Sequence, residues 1–238
     1  MNFGYISKLI QNKSKIRERI GRIYSTILKT EIKILIDDEE CYEYHHCTWS
    51  EKRFVTRHNE KIPARINIDQ SLGAERRCNK CWSLWDEDID TCKKCKSKDL
   101  RIIEKRIWGW VGVQRFDDKD NFGIDLIRNG RAIRVFEKEA FFTWTDPATG
   151  ERTTDYPIDN PFGRIVGEIH MDFVPVDYLK TDFQRTTPEW GDAIKLLRGE
   201  TSLQPRRAAA ASSNLNKSPV YRVYQGYRSV RDYGTKDM

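Results

Sequence analysis

The chain has 238 residues, 38% hydrophobic and 33% charged, enough to build one large or two modest domains around a core. Its net charge of +6 permits contact with nucleic acid without requiring it. No apolar run reaches about 18 residues, and Met1-Asn-Phe-Gly-Tyr-Ile-Ser-Lys lacks a signal-peptide core, so a membrane helix is not expected and the expected location is cytoplasmic.

Residues 5–29 have the periodicity of a helix. Ile6, Leu9, Ile10, Ile16, Ile20, Ile23, Ile27 and Leu28 share one face, and Lys13, Lys15, Arg17, Arg19 and Arg22 line the other. Gly21 permits close packing against that helix. Glu31-Ile-Lys-Ile-Leu-Ile alternates like a strand and closes at an acidic turn, Asp37-Asp38. Cys41, His45, His46 and Cys47 raise the thought of a metal. Their spacing matches no common ligand pattern, and a partly buried aromatic segment fits better. His58 stands alone and reads as structural.

The most specific signal is Cys78-Asn-Lys-Cys81, ten residues, then Cys92-Lys-Lys-Cys95. Two Cys-x-x-Cys turns bring four thiolates to the corners of a tetrahedron, the arrangement of a structural zinc (Zn2+) site. Six cysteines, four of them so paired, suit a reducing compartment better than a disulfide scaffold. Lys80, Lys93, Lys94 and Arg77 flank the turns, and positive charge favours thiolates. Four thiolates leave no open position, so the metal should fold its segment and not catalyse. The knuckle, 78–97, reads as an insertion into a domain spanning 1–77 and 98–200.

Ile66-Asn-Ile-Asp-Gln-Ser-Leu before the insertion is short and strand-like. After it comes a series of strands containing Trp108, Trp110, Val111 and Val113, interrupted by Gly109 and Gly112. Ile124-Asp-Leu-Ile-Arg and Arg131-Ala-Ile-Arg-Val-Phe flank Asn129-Gly130, a strong hairpin signal. A short helix or turn covers Glu137–Phe142, and Asp146-Pro-Ala-Thr-Gly150 is a tight turn. In the next strand Ile165, Gly167, Ile169 and Met171 point one way, and Val166, Glu168, His170 and Asp172 the other. Pro175 ends the pairing, and a polar loop then presents Lys180. Pro188-Glu-Trp-Gly-Asp-Ala-Ile-Lys-Leu-Leu-Arg reads as a helix with proline in its first turn. Residues 201–218 read as a flexible linker. Residues 219–238, rich in arginine and tyrosine, read as a segment docked on its own or a partner's surface, with nucleic-acid contact as the lesser reading.

Several of these pieces, in this order, resemble one family. Arg19-Ile-Gly-Arg-Ile-Tyr leading into Ile32-Lys-Ile-Leu-Ile, the hairpin Arg128-Asn-Gly-Arg131, and Gly163-Arg-Ile-Val-Gly-Glu-Ile-His-Met-Asp-Phe followed by Lys180-Thr-Asp-Phe183 look like the transducer domain of GHKL ATPases. That superfamily includes gyrase, MutL and the MORC proteins. The resemblance spans roughly residues 15–200. It implies that Lys180 reaches the terminal phosphate of ATP, held with Mg2+ in a preceding domain, as a phosphate sensor and catalytic cation. It also implies ATP-driven dimerisation and roles on DNA or in antiviral defence. The ATP-binding half, with its Asp-x-Gly-x-Gly loop, is missing from this chain. The expectation is therefore a fragment, or a subunit that needs an ATP-binding domain in cis or in trans and is no ATPase alone.

The expected fold is α+β: a mixed sheet with helices on one face and a zinc ribbon projecting from one edge. The leading functional expectation is a GHKL transducer module. A zinc-ribbon nucleic-acid-binding module stands second, resting on the knuckle, the net charge and the basic helix. An interaction scaffold whose only ligand is zinc stands third.

Overall fold

The structure is a computed structural model and describes residues 12–158, 161–204 and 216–228. It is α+β, with one six-stranded mixed sheet and three two-stranded ribbons. Residues 5–11 of the expected first helix lie outside the described residues.

Two helices open the described chain, α1 (Lys13–Ile23) and α2 (Ser25–Leu28). The single long helix expected there is broken at Tyr24. Asn12 caps α1 by accepting from the Lys15 amide at 3.3 Å. Gly21 is indeed a close-packing point: a Cβ there would lie 2.1 Å from the Tyr42 carbonyl oxygen.

The expected strand at Glu31 shrinks to two residues on each side of its turn, β1 (Leu35–Ile36) and β2 (Glu39–Glu40). Asp37 and Asp38 both have positive φ, 50° and 63°, the geometry of a tight two-residue hairpin turn. Next come β3 (Phe54–Arg57) and β4 (Glu60–Pro63). They are joined by His58 and Asn59, again both at positive φ, so His58 is a turn residue.

Strand β5 (Arg65–Cys78) runs well past its expected end, and β6 (Leu84–Asp86) pairs with its far end. The expected series of strands after the knuckle is one 19-residue strand, β7 (Leu100–Asp118), paired to β5 along most of its length. Then follow β8 (Gly123–Arg128) and β9 (Arg131–Glu137), joined by Asn129 and Gly130 at φ 49° and 75° as the sequence predicts. Helix α3 (Glu139–Phe142) and the hairpin of β10 (Thr143–Thr145) and β11 (Arg152–Thr154) lead to β12 (Gly163–His170).

The sheet order is β6-β5-β7-β12-β8-β9. Strand β12 is antiparallel to β7 and parallel to β8. All eight of its residues are buried, which requires cover on both faces of the sheet. Helices α1 and α2 supply it on the face that carries Asp125 and Glu168, through Arg22 and Lys29.

The remaining helices are α4 (Pro188–Arg198) and α5 (Pro219–Tyr227). Each has proline in its first turn, capped by Thr187 and Ser218 respectively. Their residues Trp190, Ala193, Leu197, Val220, Val223 and Tyr224 join Ile124, Leu126, Ile165 and Ile169 in the main core. The expected single helical face is thus replaced by helical cover on both, because a central strand buried throughout leaves no face free for water.

The tyrosine-rich segment docks on its own domain. Tyr227 donates to the Ile62 carbonyl at 3.2 Å, and Val220, Val223 and Tyr224 are fully buried. At about 1.5–3 kcal/mol per large buried apolar side chain, these contacts hold the helix in place. Ser202 and Leu203, at the start of the expected linker, are buried as well. Residues 205–215 and 229–238 lie outside the described residues.

Candidate functional site

The four expected thiols do converge. The sulfurs of Cys78, Cys81, Cys92 and Cys95 all lie within 4.8 Å of one another, and no disulfide joins them. The two turns that carry them are built alike. The Trp82 amide donates to the Cys78 carbonyl at 2.9 Å, and the Lys96 amide to the Cys92 carbonyl at 2.8 Å. The Cys78 amide donates to the Ser83 carbonyl at 3.0 Å, and the Cys92 amide to the Ser97 carbonyl at 2.9 Å. The residue after each second cysteine has left-handed backbone, φ 63° at Trp82 and 59° at Lys96. This repeated geometry turns each pair of sulfurs inward.

Burial resists ionisation of Cys92, but the amides of Cys95 and Lys94 and the neighbouring thiol outweigh it and bring its pKa down to about 6. A thiol lowered in this way is a ready metal ligand. Cys95 goes the other way: the Ser97 amide lowers its pKa, but burial and the three facing thiols outweigh that and push it up to about 12. It is the convergence of the four sulfurs that lets the cluster hold a metal ion with sulfur-only ligands. It sits where β5 ends and β7 begins, at the strand pair next to the sheet edge formed by β6.

The Cys41 to Cys47 segment behaves differently. Cys41 is buried, Cys47 and His45 are exposed, and none of them joins a metal-like cluster among the described residues. His45 lies 3.1 Å from Glu43. His46 is the surprise. Its side chain is buried, with Nε2 at 3.3 Å from Asp125 and 3.7 Å from Glu168. Tyr44, Trp110 and Phe136 meet its ring edge-on.

Asp125 is shared by the Arg22 guanidinium, 2.9 Å away, and the Phe136 amide at 2.7 Å. Arg22 also stacks on Phe136 and Tyr44, with ring centroids at 3.4 and 3.9 Å. Sequence reasoning missed this network. Its one legible trace was a carboxylate in the apolar run Gly123-Ile-Asp-Leu-Ile, where a buried charge needs a partner.

Lys180 stands apart from the cysteines, at the tip of the loop after β12. The loop closes as a small hairpin through a bridge between Val176 and Phe183. The Asp177 carboxylate accepts from the Thr181 amide at 2.7 Å and from the Thr181 hydroxyl at 2.6 Å. Those bonds hold the Asp177 pKa below the ordinary carboxylate value. The Lys180 amide donates to the Asp177 carbonyl at 3.1 Å. Lys180 itself has φ 54°, a conformation that costs a non-glycine residue about 1 kcal/mol. The tip is nonetheless exposed: Tyr178 at 98% and Leu179 at 73%, with Lys180 beside them and in no ion pair among the described residues.

The base of the loop is clamped. Phe183 is buried against Trp190, with ring centroids 5.7 Å apart. Arg185 bonds Glu137 at 2.7 Å and Asp182 at 3.1 Å. Burial alone would raise the Glu137 pKa, but Arg185, the Ala140 amide and Arg134 together lower it. A flexible cation is thus carried on a fixed stem.

Among the described residues no helix is long and apolar enough to cross a membrane. No family model and no curated protein matches this chain.

Proposed function

We propose that this chain is the transducer portion of a GHKL-type ATPase, in which Lys180 senses and stabilises the terminal phosphate of ATP. The nucleotide and its Mg2+ are held by an ATP-binding domain supplied in cis or in trans, and the assembly dimerises with ATP bound. The observation that carries this reading is the Lys180 loop. A lysine without an acidic partner among the described residues, flanked by exposed Tyr178 and Leu179, projects from a stem fixed by Asp177, Phe183 and Arg185. Such a stem lets a single charge meet a phosphate without reordering the backbone. The same rigidity would serve a relay, because movement of the tip reaches β12 directly. DNA-directed work or antiviral defence would be the output. Zinc is the metal we assign to the four sulfurs, in a structural role, because thiolate-only tetrahedra favour it.

The test uses the full chain with its ATP-binding partner domain. The chain alone should turn over no ATP. The assembly should hydrolyse ATP, and Lys180→Ala should lower kcat by about 10² or more with little change in KM, the signature of a contact made in the transition state. Unchanged hydrolysis in Lys180→Ala would end the sensor assignment. Substantial turnover by the chain alone would end the transducer reading.

A further inference from the structure

Arginine stands opposite arginine twice in the main sheet. Arg77 faces Arg101 across the β5–β7 ladder, and Arg128 faces Arg131 across the β8–β9 hairpin. Like charges placed directly opposite destabilise a ladder. Among the described residues no carboxylate forms an ion pair with any of the four. Three acids of neighbouring segments are engaged by other groups: Glu75 by Lys105, Asp90 beyond β6 by Arg76, and Asp172 after β12 by the Asn129 amide. The Nε atoms of Arg77 and Arg131 are shielded from solvent without a hydrogen-bond partner. Arg128 uses its Nε on the Asp172 carbonyl at 3.0 Å.

The two pairs feel each other. Burial lowers the pKa of Arg128, the Asp172 charge opposes this, and the Arg77 charge lowers it further. Geometry puts both pairs at one end of the sheet: Trp108, His170 and Ile127 stand level on β7, β12 and β8, and Arg101 and Arg128 lie beyond that level on the same side, with Arg77 the ribbon arginine that acts on Arg128. Beside them stands an aromatic ring. Trp82 is 65% exposed, and the Arg101 guanidinium lies 5.6 Å above its centroid. Leu84, across the ladder from Arg77 on the β6 side, is 42% exposed. Large apolar side chains held out beside guanidinium groups that form no ion pair among the described residues suit a partner that is both anionic and flat-ringed.

We infer that Arg77, Arg101, Arg128 and Arg131 form a phosphate-binding track for a nucleic-acid strand, with Trp82 as the surface on which a base stacks. Guanidinium groups contact phosphate oxygens in pairs. Stacking on an indole ring tolerates any base. A small anion would not need two arginine pairs on separate elements, and an acidic peptide offers nothing flat to the ring. The track relieves in the complex the repulsion it carries without one. It does not depend on the ATPase reading or on Lys180.

The test is fluorescence anisotropy of a labelled single-stranded oligonucleotide with the full chain, across a sodium chloride series and without ATP. Binding should weaken steeply with salt. Arg77→Gln combined with Arg131→Gln should weaken it about 10-fold or more and flatten the log–log salt slope by roughly 1.4, about 0.7 per lost single-strand phosphate contact. Trp82→Ala should weaken binding and leave the slope in place. The glutamine variants should melt at or above the temperature of the parent, because they remove like-charge contacts. Four results would overturn the track: no binding at low salt, an unchanged slope in the glutamine double variant, lower melting in those variants, or equal competition by polyglutamate. An unchanged slope that instead responds to Lys80, Lys93 and Lys94 would place the contact on the knuckle turns.

Discussion

Glu168 lies directly beside Asp125, on adjacent parallel strands β12 and β8. Two buried carboxylates side by side repel, yet each is met by a cation from the N-terminal helices: Arg22 at Asp125 and Lys29 at Glu168. His46 sits between them. The network fastens α1 and α2 to the sheet by charge, where the opposite face is fastened by apolar contact.

Breaking that network should be expensive. Arg22→Ala leaves a buried carboxylate without its main partner and should cost roughly 3–5 kcal/mol in urea unfolding. Arg22→Lys should recover only part of this, because an ammonium cannot reproduce the stacking on Phe136 and Tyr44. Equal stability of the lysine variant and the parent would mean that charge alone matters.

His170 predicts a pH dependence. It stacks on Trp108 with centroids 3.6 Å apart and is buried, which lowers its pKa to about 4. Asp172 and Glu168 oppose this drop, and Lys29 adds to it. Between about pH 6.5 and 4 the unfolded chain therefore binds a proton that the folded chain refuses. Stability should rise with pH through that window and fall by roughly 2–3 kcal/mol on acidification across it. His170→Gln should flatten the slope there. An unaltered slope would assign the acid sensitivity to other groups.

Gly109 should be close to irreplaceable. Its φ is 136°, and a Cβ would stand 2.0 Å from the Glu168 carbonyl oxygen. Gly109→Ala should cost about 3 kcal/mol or more. Gly73, at φ 94°, meets nothing within 4 Å, so Gly73→Ala should cost only about 1 kcal/mol of backbone strain. Denaturant midpoints that rank the two in the reverse order would contradict the β7–β12 register.

Metal removal should act locally. With metal bound, a thiol reagent should react quickly with Cys47, the exposed cysteine outside the cluster. After chelation, the four cluster thiols should react as well, and proteolysis should cut within 79–99. The main melting transition should persist, since the core lies elsewhere. Fast reaction of the cluster thiols before chelation would argue that they hold no metal.

Much of this was legible where local chemistry decides the outcome. Asn129-Gly130, Asp37-Asp38 and the proline-led helix α4 follow from positive-φ preference and N-terminal capping. The cysteine spacing led to a real cluster of sulfurs. What sequence periodicity could not supply was strand length. The glycines at 109 and 112 look like interruptions, yet at each a Cβ would run into the backbone of a neighbouring strand or its flank, at Glu168 and Ala64. Nor could it place His46, whose surroundings come from β8 and β12, far along the chain. The second helical face was hidden for a similar reason. Alternation along β12 marks Glu168 and His170 as outward, and a polar pair facing a charged helix reads the same as one facing water.

Strand β7 has a mechanical consequence. One unbroken backbone begins at the cysteine cluster, crosses the middle of the sheet and pairs with β12 from Trp108 to Asp118. A ribbon built in this way continues the sheet itself and is joined to it by β-ladder, with no linker between them. A load applied at its cysteine-bearing end would arrive as torsion at the centre of the domain, next to the strand from which the lysine loop emerges.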